Sequence, residues 1–304
     1  MEKKDNSPLK ISSISELHQI LQVPKPLHPL ISLVDNTQMS VNKELLNRNF
    51  VMNFYKISYK FSENGKMGYG QGYYDFNEGG MMFTAPNQIL STDEEAKYHG
   101  YTLLIHPDFI RNYPLAKSIK KYGFFSYDTN EALHLSDKEK TIVVGLLNNI
   151  QGELDTAIDE ISQDVIVSYV EVLLNYSNRF YKRQFITRKT VNSDLLSKME
   201  NVLEDYFNKQ ETLTGGLPTV EFLASKLNLS PHYLSDMLRN LTGQNAQQHI
   251  HEKLIEKAKE YLTTTSLSVA EVAYQLGFEH SQSFNKLFKK KTNTTPLLYK
   301  QSFN

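Results

Sequence analysis

TVEFLASKLNLSPHYLSDMLRNLTG (residues 219–243) and SVAEVAYQLGFEHSQSFNKLFKKKTN (residues 268–293) are two versions of one pattern. Val220, Leu223, Ala224 and Leu227 correspond to Val269, Val272, Ala273 and Leu276 at a constant shift of 49. Leu234, Met237 and Leu238 correspond to Phe284, Leu287 and Phe288 at a shift of 50. One extra residue therefore falls in the second turn, where an insertion disturbs neither helical stripe. Spacing at i, i+3, i+4 and i+7 puts the apolar residues of each first helix on one face. Ala224 and Ala273 lie mid-stripe, where a larger side chain would hold two helices apart. Ser230 reads as an N-cap with Pro231 at the first helical position, so a second helix starts there. Two short helices joined by a tight turn, with stripes inward, describe a helix-turn-helix unit. The chain carries one over 219–241 and another over 268–291.

Apolar stripes alone establish packing; the outward residues indicate a ligand. On the first recognition helix these are His232, Ser235, Asp236 and Arg239. On the second they are Ser281, Gln282, Asn285, Lys286 and Lys289, followed by Lys290 and Lys291. Gln and Asn can pair with adenine, and Lys can reach guanine, in the major groove. Lysines at the far end of a recognition helix suit phosphates, which position a protein without reading sequence. The expected partner is therefore double-stranded DNA, with the second helix as electrostatic anchor. Asp236 would repel phosphate unless it accepts from a cytosine amino group. For any single one of these residues, solvation of a helix face is the alternative. From Thr219 onward there are 10 Lys/Arg against 7 Asp/Glu, whereas the whole chain has a net charge of −1. The positive charge is local, at Lys286 and Lys289 to Lys291.

The second unit resembles the AraC/XylS family of bacterial transcription regulators. The residues that carry the resemblance are Leu276-Gly277-Phe278, Phe284, Phe288-Lys289-Lys290, Thr295-Pro296 and Tyr299-Lys300. Two positions depart from the family pattern. Asn293 stands where Gly is usual, and Asn tolerates a left-handed helix cap nearly as well. Lys300 stands where Arg is usual; it keeps the charge but would hold a phosphate or carboxylate less firmly. The resemblance spans residues 193–304 and implies a sequence-specific transcription regulator, an activator that meets RNA polymerase, and not an enzyme.

Two further helices complete the C-terminal domain. One starts at Ser193, with Leu196, Met199, Leu203 and Phe207 on one face. The other runs from Asn245 to Leu262, with Ile250, Leu254, Ala258 and Leu262 as its seam. A stiff connector would hold the recognition helices about one DNA turn apart, roughly 34 Å, or bend the DNA to them. His249 and His251 point to nearly opposite sides of that helix, which argues against shared metal ligation.

The N-terminal part is patterned differently. Tyr55, Ile57, Tyr59 and Phe61 alternate onto one strand face, turns are expected at Glu63-Asn64-Gly65 and Glu78-Gly79-Gly80, and further strands end at prolines. Short strands at turn-separated intervals suggest a small antiparallel barrel or sandwich. YDFNEGGMMFTAPNQ (74–88), GYTLLIHPDF (100–109) and FFSYDTNEALHLS (124–136) resemble the cupin-like sensor domain that precedes the reader in many AraC-type regulators. The expected class is thus α+β: a cupin-like barrel with a helical hairpin (1–182), a linker (183–192), and an all-α reader (193–304). His99 and His106 lie seven apart, with Glu131 and His134 in the following loop. Hydrogen bonding or packing is expected of them, with no metal and no cofactor. Tyr55, Tyr59, Tyr69, Tyr73 and Tyr74 could line a pocket for a small-molecule effector, with Tyr55, Tyr59 and Tyr73 as the named candidates, or they could simply fill the barrel.

Between sensor and reader, Ser136 and Glu139 fit a capping box followed by Ile142, Val143, Leu146, Leu147 and Ile150. A second helix over about 158–181 carries Ile161, Val165, Tyr169, Val172, Leu173 and Tyr176. In the family such helices often form a dimer interface, so a homodimer is expected. The basic run from Arg179 to Lys189 reads as a solvated tether. The chain has no Cys, which excludes disulfides and thiolate chemistry, and no long apolar run, so no membrane association is expected and a cytoplasmic location is. Two competing readings are a constitutive DNA-binding protein whose N-terminal domain only dimerises, and a cupin enzyme with a DNA-binding tail.

Overall fold

The computed structural model describes residues 8–40, 49–61, 67–69, 72–74, 79–91, 99–156, 159–187 and 189–303. The chain divides into two units, residues 1–184 and 185–304. It is α+β, with its sheets in the first unit and a helical second unit.

In the first unit the strands are β1 (Leu9–Ile11), β2 (Ile31–Asp35), β3 (Asn49–Met52), β4 (Tyr55–Phe61), β5 (Met67–Tyr69), β6 (Gly72–Tyr74), β7 (Gly80–Thr84), β8 (Ile89–Ser91), β9 (His99–Ile105) and β10 (Leu133–His134). A five-stranded antiparallel sheet runs β10-β7-β4-β9-β2, and a three-stranded sheet runs β1-β3-β8 with β1 and β3 parallel. The described ladders do not close into the expected barrel. The expected turn at 63–65, and Glu78, lie outside the described residues.

Alternation along β4 sorts its side chains between two layers. Tyr55, Ile57 and Tyr59 are buried, in register with Ile105, Leu103 and Tyr101 of β9. The other face contributes Leu104 and Val34 to a cluster with Ile11, Met52, Phe54 and residues Ile14 and Leu17 of helix α1 (Ile14–Ile20). Elsewhere in the sheet, Ser58, Thr102 and Asn36 form a buried hydrogen-bonded chain, with Thr102 Oγ1 2.7 Å from Asn36 Oδ1 and Asn36 Nδ2 3.2 Å from the Tyr59 carbonyl. Gly100 makes the close approach at this point possible. Its φ is +111°, and a Cβ there would lie 2.2 Å from the Tyr59 carbonyl oxygen.

The short helix α2 (Leu115–Ser118) precedes α3 (Asp137–Asp155) and α4 (Glu160–Thr187). The Ser136–Glu139 capping box opens α3, which buries Val143, Leu147, Ile150 and Leu154. On α4 the sequence-derived stripe needs correction. The buried residues are Ile166, Val167, Val170, Leu173 and Leu174, whereas Ile161 is 71% and Val172 40% exposed. Both faces of this helix are partly apolar, so periodicity alone could not tell which packs inward. The solvated tether is also corrected. Residues 179–187 continue α4, with Phe180, Tyr181 and Gln184 buried. Gln184 accepts from the His134 amide at 2.8 Å, and Arg183 pairs with Glu139 at 2.6 Å. Among the described residues no helix is long and apolar enough to cross a membrane.

The second unit holds α5 (Lys189–Asn208), α6 (Thr212–Gly215), α7 (Val220–Leu227), α8 (Pro231–Thr242), α9 (Ala246–Thr264), α10 (Val269–Gln275), α11 (Ser281–Thr292) and α12 (Pro296–Gln301). Helix α9 packs against α5, α7, α8, α10, α11 and α12. Its seam of Ala246, Ile250, Leu254, Ile255, Ala258 and Leu262 is buried throughout. Asn245 and Gln248 cap it reciprocally. Glu204 of α5 takes Lys253 at 2.7 Å and Lys257 at 2.8 Å, and this pair of ammonium donors pulls its carboxyl down from 4.5 to about 2.

A carboxylate held lower in the folded state stabilises above its unfolded pKa, and the effect is lost as pH falls from about 4.5 through about 2. Glu204 is partly exposed, so solvent screening keeps the gain small. Glu204→Gln is expected to cost about 0.5–1 kcal/mol at neutral pH, with the difference from wild type shrinking towards pH 2 in urea titrations. A pH-independent difference would show that the charge pair contributes nothing.

Candidate nucleic-acid interface

The repeat seen in the sequence is reproduced in the turns and at the ends of the recognition helices. Asn228 ends α7 with φ +55°, and Gly277 follows α10 with φ +90°. The Leu229 amide donates to the Ala224 carbonyl at 2.9 Å, and the Phe278 amide donates to that of Ala273 at 3.0 Å. The two turns therefore match through Leu229 and Phe278. The extra residue is confined to the step between Phe278 and Ser281. Ser230 caps α8 by accepting from the Tyr233 amide at 3.2 Å, whereas His280 makes no side-chain cap on α11.

The recognition helices also end alike. Gly243 (φ +81°) donates to Arg239 and Asn293 (φ +60°) to Lys289. Thr242 and Thr292 return their hydroxyls to the carbonyls of Leu238 and Phe288. Asn245 and Thr295 then cap the next helices, whose first residues, Ala246 and Pro296, are both buried. The repeat thus takes in a third helix, α9 in one copy and α12 in the other, which the stripes did not reveal. Asn293 does hold the left-handed cap that its sequence position implied.

The inward faces bury Leu234, Met237 and Leu238 on α8, and Phe284 and Phe288 on α11. Their outward faces carry every residue singled out as a DNA contact. His232 and Arg239 are exposed on α8, with Ser235 and Asp236 half-buried. On α11, Gln282, Asn285, Lys286, Lys289 and Lys290 are exposed and Ser281 half-buried. Asp236 is explained locally: it pairs with Arg239 at 2.8 Å and so offsets that cation. Three lysines, 289 to 291, occupy the last turn of α11, where the helix dipole favours cations.

Other residues have structural partners. His249 bonds Thr242 at 2.9 Å and His251 bonds Gln247 at 3.0 Å, so the two imidazoles serve different contacts. Lys300 donates to the carbonyls of Leu267 at 2.6 Å and Thr265 at 3.4 Å, fastening α12 to the loop before α10. A strap missed in the sequence joins the segment before α7 to the second turn. Thr212 donates to the Gln275 carbonyl at 2.8 Å, Tyr206 donates to that of Gly216 at 3.1 Å, and a Cβ on Gly277 would lie 2.6 Å from the Gly216 backbone. The Gly215-Gly216 pair was the available signal.

In the first unit Tyr55 and Tyr59 are 7% and 5% exposed, and Tyr55 packs edge-on against Phe125 at 5.2 Å. Burial pushes both phenols up, with the Asp137 charge adding to the effect at Tyr59. The side chains of Tyr69, Tyr73 and Tyr74 lie outside the described residues. On the opposite face of β4, burial and the neighbouring Lys56 push Lys60 down to about 7. His106 caps the turn after β9 and lies 3.3 Å from Asn53, and His99 stacks on Phe61. Among the described residues no group of three or more His, Asp and Glu could hold a metal ion.

A family described as a helix-turn-helix domain matches residues 223–302. The C-terminal domain of the two-component response regulator yesN from Fusobacterium nucleatum is 34% identical, covering 98% of that chain and 35% of this one, with a TM-score of 0.31. The C-terminal unit belongs to the AraC-type helix-turn-helix family. Relatives include an HTH-type transcriptional regulator in the cgkA 5′ region of Pseudoalteromonas carrageenovora, 35% identical over 28% of this chain and 50% of that protein. The HTH-type transcriptional regulator YfiF of Bacillus subtilis is 21% identical over 82% of this chain and 77% of its own length. The chain spans half or less of the length of several curated relatives that it matches.

In this AraC-type unit, Gly277→Ala forces a side chain into the Gly216 backbone at positive φ. It should destabilise the protein by about 1–3 kcal/mol, whereas Asn293→Gly should change stability by less than about 1 kcal/mol. Chemical denaturation of both variants checks this. Equal effects would mean that the strap contact is not tight.

Proposed function

We propose that the chain is a sequence-specific DNA-binding transcription regulator that reads two adjacent major-groove segments. The observation that carries this reading is the matched pair of helix-turn-helix units on one helix, α9, with polar and basic faces on α8 and α11 turned outward. Gln282, Asn285 and Lys286 read bases, while Lys289 and Lys290 hold phosphates. His232, Ser235 and Arg239 supply the second reading face, with Asp236 steering Arg239. The protein acts in the cytoplasm, without enzymatic chemistry, as an activator that meets RNA polymerase. It works as a dimer: the exposed Ile161 and Val172 on α4, with half-buried Val165 between them, offer an apolar face for a second copy. The first unit, cupin-like in design, passes on the binding of a small effector.

Replacing Lys289 and Lys290 by Ala is expected to weaken binding to all sequences and lower the salt slope by about 2, one per lost phosphate contact. A slope equal to wild type would remove the anchor assignment. Changing Gln282 or Lys286 should alter preference at one base pair by about 1–3 kcal/mol in competition binding. A uniform loss over all sequences would make them backbone contacts instead.

A further inference from the structure

A cavity of about 310 Å³ opens in the first unit beside β2, between the loop after α1 and the last turns of α3. This is the lower end of the range for small-molecule sites. Tyr55 and Tyr59 do not line it. His18, Asp35, Tyr101 and Gln151 do, with Pro24 and Leu154 among the apolar walls.

Three of these, His18, Asp35 and Gln151, share one property: each has an acceptor to spare. His18 is only 5% exposed, and its Nδ1 bonds the Pro24 carbonyl. A carbonyl can only accept, so Nδ1 carries a hydrogen, and in the tautomer this selects Nε2 is the ring's acceptor. That Nε2 is buried without a hydrogen-bond partner. Asp35 directs Oδ1 to the Thr37 amide at 2.9 Å and to its hydroxyl at 2.7 Å, leaving Oδ2. Gln151 spends its amide nitrogen on Asp155 at 2.7 Å, leaving Oε1. Of the three, only His18 Nε2 is a buried orphan, and such an acceptor is costly unless a donor arrives; Asp35 and Gln151 are half-buried and open to the cavity's solvent side.

We propose that this cavity binds a small molecule through a primary ammonium group, shared among His18 Nε2, Asp35 Oδ2 and Gln151 Oε1. An ammonium supplies three donors and the charge that Asp35 lacks. Pro24 and Leu154 cover its aliphatic stem. Lys25, exposed at the rim, repels a simple amine slightly and attracts one that also bears a carboxylate. The site gives the effector-controlled reading a location and a ligand chemistry, and it rests on that reading for its regulatory meaning.

Calorimetric titration of the full chain with n-butylamine, norvaline and sorbitol tests the site. Saturable millimolar binding of butylamine or norvaline, with none of sorbitol, is expected. Asp35→Asn and Gln151→Leu should each weaken it by about tenfold while leaving the melting temperature unchanged. Side-chain nitrogen NMR should show the His18 Nε2 signal moving with saturation, which a purely structural histidine would not do. Tighter binding of norvaline that is lost in Lys25→Ala marks an amino-acid ligand; equal binding marks a simple amine. No saturation by either amine, equal binding of sorbitol, or insensitivity to Asp35→Asn overturns the proposal. DNA binding is measured alongside. Amine binding without any change in DNA affinity would leave the site standing and remove effector control.

Discussion

Helix α9 is the constraint on which the reading geometry depends. It is buried along one seam from Ala246 to Leu262 and packs on both helix-turn-helix units, so neither can turn without breaking that seam. Each large aliphatic residue buried there contributes about 1.5–3 kcal/mol, which makes the seam strong compared with any single surface contact. Three smaller fastenings add direction: Glu204 bridging Lys253 and Lys257, the Thr212–Gln275 and Gly216–Gly277 strap, and Lys300 on the loop carbonyls.

The two reading heads share a frame and differ in electrostatics. On α8 an acid offsets the arginine, and a serine and a glycine lock the helix ends. On α11 the cap is weaker, one extra residue lengthens the approach, and three lysines gather at the far end. This division suits one head that anchors to the backbone and another that depends on base contacts. Phosphate contacts dominate affinity, while base edges supply selectivity.

Much of this was legible in the chain, because local periodicity and caps determine it. The stripes of α7, α8, α10 and α11, the Ser230 and Ser136 caps, and the Asn293 turn all depend on residues within a few positions of each other. What escaped depends on distant partners. The sequence shows that Lys300 keeps the charge of the usual Arg, but not its acceptors, which are carbonyls more than thirty positions away. The Gly216–Gly277 contact joins segments that have no pattern in common. On α4 both faces are apolar enough to pack, and only the fold selects Ile166, Val170 and Leu173 for the interior. Tyr55 and Tyr59 share one face as the alternation implies; both are buried, Tyr55 against Phe125 and Tyr59 beside Phe61. The run from Arg179 to Lys189 looked solvated by composition, whereas Arg183 and Gln184 are committed to Glu139 and His134.

The rigidity of α9 is best tested with DNA. Fragments selected by the full chain should share a motif of two blocks about one helical turn apart. Inserting roughly five base pairs between the blocks places the second on the opposite side of the duplex and should reduce affinity at least about tenfold. Binding that tolerates the insertion would mean that the two heads are independently mobile, and would contradict the account.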